Sequence, residues 1–133
     1  MKKVILFWGG LFILVLFAYR GMISADVWCQ FGNGYYLGGS TSDKLYIYKG
    51  DMGKGQIVIA PNVIDYKYDK SFIITKQMPD SIWIEAECKT KYEQGLNCAY
   101  YWIIIKETDK IFGPMSESHF HEMKGEYNIS LDF

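Results

Sequence analysis

Tyr100 to Met115 reads YYWIIIKETDKIFGPM, and the architecture of the chain turns on how this stretch is read. Trp102, Ile103, Ile104 and Ile105 are apolar without a break. A strand with one wet face alternates apolar and polar residues, so an unbroken run asks for cover on both faces. Its shortness and Ile content argue against a helix. Glu107 to Lys110 is polar and reads as a turn. Ile111 and Phe112 return, and Gly113-Pro114 is expected to stop the strand. The segment is a core hairpin, a scaffold for the rest.

Upstream, Val63 to Gln77 reads VIDYKYDKSFIITKQ and forms a second hairpin. Its first arm sets Ile64, Tyr66 and Tyr68 against Val63, Asp65 and Lys67. Its second arm, Phe72-Ile73-Ile74, is more buried. Ser81 to Glu87 alternates and suits a half-exposed strand. Gln56 to Ala60 is a strand ended by Pro61, which has no N–H to give a central ladder. Leu45 to Tyr48 is another, with Leu45 and Ile47 on one face and Tyr46 and Tyr48 on the other. Phe31 to Gly39, FGNGYYLGG, reads as one short strand among glycine turns, and Lys49 to Gly55 as a loop.

Downstream the pattern changes. Ser116 is a good N-cap, Glu117 suits the helix N-terminus, and Phe120 and Met123 share a face. Gly125 fits a C-terminal stop. A short helix over Ser116 to Lys124 follows, and Tyr127 to Phe133 either adds an edge strand or trails away. The expected fold class is α+β, mainly β: a small antiparallel sheet of hairpins with one short C-terminal helix.

The 133 residues leave room for one small domain. Aromatics reach 17 %, with 11 Tyr, which favours strands. Lys2 and Lys3 precede an apolar run of 16 residues, Val4 to Tyr19, closed by Arg20. This is the pattern of an export signal, or of a membrane anchor if uncleaved. Residues 1–25 therefore read as signal peptide or anchor helix, and 26–133 as a single β-rich domain. The membrane is a partner through residues 4–19 in the anchored case. The location is extracytoplasmic: periplasm, cell envelope or medium. Taking Lys2, Lys3 and Arg20 from 14 basic residues leaves 11 against 15 acidic, a net of −4. That balance argues against nucleic acid, whose phosphates need a basic face.

Three cysteines, Cys29, Cys88 and Cys98, forbid full pairing within the chain. Cys88 and Cys98 bracket a polar loop and are the candidate disulfide, since an exported domain meets oxidising conditions. A bridge from Cys29 to either, and three reduced thiols, are the alternatives. Lipidation of Cys29 is disfavoured, because Asp26-Val27-Trp28 lack the small residues such sites want.

An export leader, a GNGYYL strand, the VIDYKYDKSFIITKQ hairpin and the YYWIIIKETDKIFGP hairpin closed by a short helix occur together. In this the chain resembles a family of small, uncharacterised bacterial exported proteins and lipoproteins, a domain of unknown function with a YWII…GP hairpin. The resemblance covers roughly Gly32 to Lys124. It implies no activity, so it carries no functional residue across.

Candidate chemistry is sparse. His119 and His121 at i, i+2 point to different faces of a helix and do not share a metal. Glu85 and Glu87 share a strand face about 7 Å apart, without a second element. No Gly-x-Ser-x-Gly or phosphate loop occurs, and no cofactor is expected. The strand tyrosines remain. Tyr46, Tyr48, Tyr66 and Tyr68 are the candidate binding surface for a protein or glycan, if one sheet face is only partly covered. The expected function is a non-enzymatic interaction or structural module of the envelope. The alternative is an inhibitor or immunity-type protein that binds a secreted enzyme. A deep pocket joining a carboxylate to a histidine would point instead to a hydrolase.

Overall fold

The structure is a computed structural model that describes residues 27–39, 44–50, 55–80 and 91–133. The apolar leader, the Ser81–Glu87 strand and Cys88 lie outside the described residues.

The elements run β1 (Val27–Gly32), β2 (Tyr35–Gly38), β3 (Tyr46–Lys49), β4 (Gln56–Ile59), β5 (Val63–Tyr68), β6 (Phe72–Gln77), β7 (Tyr100–Ile105), β8 (Lys110–Met115) and α1 (Glu117–Glu126). The strands form two four-stranded antiparallel sheets, β1-β2-β3-β4 and β5-β6-β7-β8. The sequence reading expects one sheet. The division falls at Ala60-Pro61-Asn62: Pro61 cannot extend the ladder, and β5 then pairs with β6 and not with β4.

The apolar run in β7 explains why both sheets and a helix are needed. Tyr100, Trp102 and Ile104 point towards the first sheet and pack with Phe31, Tyr35, Leu37, Ile47 and Ile59. Tyr101 and Ile103 point the other way and pack with Ile74, Met115, Phe120 and Met123. The result is three layers, sheet on sheet on helix, with β7 covered on both faces. Ile103 and Ile104 are fully buried, which stabilises the fold by about 1.5–3 kcal/mol for each side chain.

Three strand assignments differ from the sequence pattern. Gly113-Pro114 does not stop the strand: β8 continues to Met115. The strand tolerates Pro114 because it is a sheet edge, where a missing N–H breaks no ladder. In β5 a bulge between Val63 and Asp65 shifts the register. Val63 is consequently buried and Ile64 is 49 % exposed, so Ile64 does not share a face with Tyr66. The third correction is at FGNGYYLGG, which is a hairpin and not one strand. Asn33 and Gly34 take positive φ (54° and 80°), as a two-residue loop between twisted strands requires.

Ser116 caps α1 as expected, its hydroxyl accepting from His119 N. Gly125 lies inside the helix, whose C-cap is Tyr127. Residues 127–133 add no strand. They fold back on α1 through buried Ile129 and a Lys124–Asp132 ion pair.

Candidate functional site

The first sheet has an inner and an outer face. Leu37, Ile47 and Ile59 are opposite one another across β2, β3 and β4 and point into the core. The next positions form a row on the outer face: Gln30 opposite Tyr36, Tyr36 opposite Tyr48, Tyr48 opposite Ile57. The Tyr36 and Tyr48 ring centroids are 6.4 Å apart, tilted by 51°. The Tyr48 hydroxyl accepts from Gly55 N at 2.7 Å, which fixes the ring. Tyr46 follows at the same spacing on β3. The three tyrosines are half-buried, and Ile57 is 51 % exposed. This outer face presents rigid rings with hydroxyl tips, large contact area with few rotamers to freeze.

Tyr66 and Tyr68 are not part of that face. They lie on β5 of the second sheet and meet the Phe31 ring edge-on at 5.6 and 4.9 Å. Tyr66 packs on the core, and Tyr68 stays exposed. The structure thus divides the four candidate tyrosines into two pairs. Only Tyr46 and Tyr48, joined by Tyr36, make a row. Tyr35, one position along, points inward and is buried.

A polar clasp joins the sheets at one end, and the sequence reading does not find it. Asp109, in the β7–β8 turn with φ 57°, accepts from the Tyr35 hydroxyl at 2.9 Å and from Lys49 Nζ at 2.7 Å. Lys49 also donates to Asn33 O at 2.6 Å, and its ammonium sits 4.1 Å from the Tyr35 ring centroid. Buried Lys106 donates to Phe31 O at 2.5 Å. Burial, and then the Asp109 carboxylate, push the Tyr35 hydroxyl far above the ordinary tyrosine range. Hydrogen bonds from Lys49 and Tyr35 hold Asp109 below the usual carboxylate range. Tyr35, Lys49 and Asp109 are remote in sequence, and no local pattern signals their meeting.

At the other end, buried Gln77 ties the sheets again. Its amide donates to Ala60 O at 2.8 Å, and its carbonyl accepts from Trp102 Nε1 at 2.7 Å. Beside it, the Tyr100 hydroxyl donates to Gly95 O at 2.6 Å and anchors the segment before β7.

A cleft of about 460 Å³ lies where that segment meets β8 and α1. Phe112, Pro114 and Met115 give it an apolar wall, and Lys91, Glu93 and His119 are exposed at its mouth. His121 faces elsewhere, 3.7 Å from Glu117. Among the described residues no group of three or more His, Cys, Asp or Glu could hold a metal ion. Cys29 and Cys98 are half-buried free thiols. The proposed partner of Cys98, Cys88, lies outside the described residues.

The family model described as "Protein of unknown function (DUF3997)" matches residues 32–133. No curated protein matches the chain, and no solved structure matches it.

Proposed function

The chain belongs to the DUF3997 family, and we propose that it is a non-enzymatic interaction module that works outside the cytoplasm. The Lys2-Lys3 start and the Val4–Tyr19 apolar run direct it to the membrane, where the leader is cleaved or remains as an anchor. The module binds a protein partner through the outer face of the first sheet. One observation carries this reading: the registered row Tyr36, Tyr48 and Ile57, extended by Tyr46, is left half-exposed on the outer face. Buried tyrosines would have served packing alone; half-exposed ones in register offer a contact surface. If the partner is a secreted enzyme, the module acts as an inhibitor or immunity protein through the same face.

Two measurements test the proposal. Protease added to spheroplasts with the cytoplasmic membrane intact should digest the domain, and a domain protected until that membrane is lysed contradicts the location. Binding of the partner captured from the envelope fraction should weaken by about tenfold or more in Tyr36→Ala/Tyr48→Ala. Undiminished binding by that variant, with its circular dichroism unchanged, removes the tyrosine face from the account.

A further inference from the structure

We propose that the cleft beside the start of α1 binds small zwitterions of the amino-acid type, free amino acids or dipeptides with an apolar side chain. Its volume of about 460 Å³ falls within the range of small-molecule sites, about 300–1,000 Å³. Three elements build it: the segment that carries Lys91 and Glu93, edge strand β8, and the first turns of α1. None of them belongs to the tyrosine face, so the site stands apart from the function proposed above.

The lining separates into two kinds. Phe112, Pro114 and Met115 form a wall suited to an apolar side chain. Lys91, Glu93 and His119 bring charge of both signs, or the capacity for it, to the same mouth. Elsewhere Lys49, Lys124 and His121 each have a carboxylate partner. Among the described residues, none makes an ion pair with Lys91, Glu93 or the His119 imidazole. A simple anion would face Glu93, and a simple cation would face Lys91. A molecule that carries ammonium and carboxylate together complements both. The ligand is also short. Pro114 removes an N–H from the free edge of β8, so that edge cannot give a full ladder to an added strand.

The test is an NMR titration of the full chain in detergent with the dipeptide Ala-Leu, following the methyl signals of Met115 and Met123 and the imidazole signals of His119. Saturable shifts confined to these residues are expected. N-acetyl-Ala-Leu and Ala-Leu amide should each bind more weakly by about fivefold, the scale of one exposed ion pair. Glu93→Gln should abolish the penalty for acetylation, and Lys91→Gln the penalty for amidation, each leaving the other penalty in place. Shifts that fail to saturate, that saturate at other residues, or that are equal for the free and blocked dipeptides overturn the proposal.

Discussion

Asp109 shows how much a single exposed side chain can organise when its backbone places it well. The left-handed φ of 57° is one that Asp tolerates better than most residues. It turns the carboxylate from the second sheet towards Tyr35 and Lys49 of the first. Because its proton affinity is lowered on folding, the clasp contributes stability above the unfolded carboxyl pKa of 3.8. That contribution is lost as the pH falls through the lower folded value. Acid titration followed by fluorescence should show the wild type losing stability below about pH 4 more steeply than Asp109→Asn. Parallel acid limbs for the two proteins would remove Asp109 from the clasp. Thr75 gives the opposite case. Its hydroxyl is buried in the middle of β6 with no hydrogen-bond partner among the described residues. Replacing it by Val keeps the shape and removes the desolvation penalty, so Thr75→Val should raise the unfolding free energy by about 1 kcal/mol. Denaturant midpoints check it, and a destabilised variant would mean that the hydroxyl has a partner. Neither effect was legible in the sequence, because Tyr35, Lys49 and Asp109 are brought together by the packing of two sheets. A Thr in an apolar strand carries no mark of satisfaction or its lack.

At the scale of elements the sequence was more informative, and its failures have local causes. The β7–β8 turn, the β5–β6 hairpin, the Ser116 cap and the two-sided burial of β7 all follow from pattern and turn chemistry. The β1–β2 hairpin is equally signalled by Asn33-Gly34, the strongest short hairpin signal, but the neighbouring Gly32, Gly38 and Gly39 obscure it. The β5 bulge escaped because strict alternation assumes no extra residue, and Ile64 is that residue. Gly113-Pro114 resembles a strand ending because both residues usually punctuate. Here Gly113 serves close packing: it has φ 136°, and a Cβ would lie 2.6 Å from the Trp102 ring. Gly113→Ala should therefore lower stability by about 1–3 kcal/mol. Thermal unfolding would reveal it, and an unchanged midpoint would show that Trp102 yields without cost. The same substitution touches the wall of the cleft, so ligand titration of this variant reads both sites together.

For the whole molecule, the decisive feature is that one apolar strand needs two covers. The first sheet supplies one and α1 the other, which leaves the first sheet with an outer face that no described element covers. Sequence alone could pair Tyr46 with Tyr48, since they alternate on one strand. It could not tell that Tyr66 and Tyr68 belong to another sheet, because nothing local marks the sheet boundary at Pro61 as more than a strand end. The function proposed rests on what remains outside after the layers are assembled. The most direct test is photo-cross-linking in cells of the native host. A photoreactive phenylalanine analogue is placed at Tyr48 on the tyrosine face and, as a control, at exposed Ile111 on the other sheet. The account predicts a discrete protein adduct outside the cytoplasm from position 48 and none from position 111. Adducts equal at both positions, or none at position 48 in a chain confirmed as folded and exported, would contradict it.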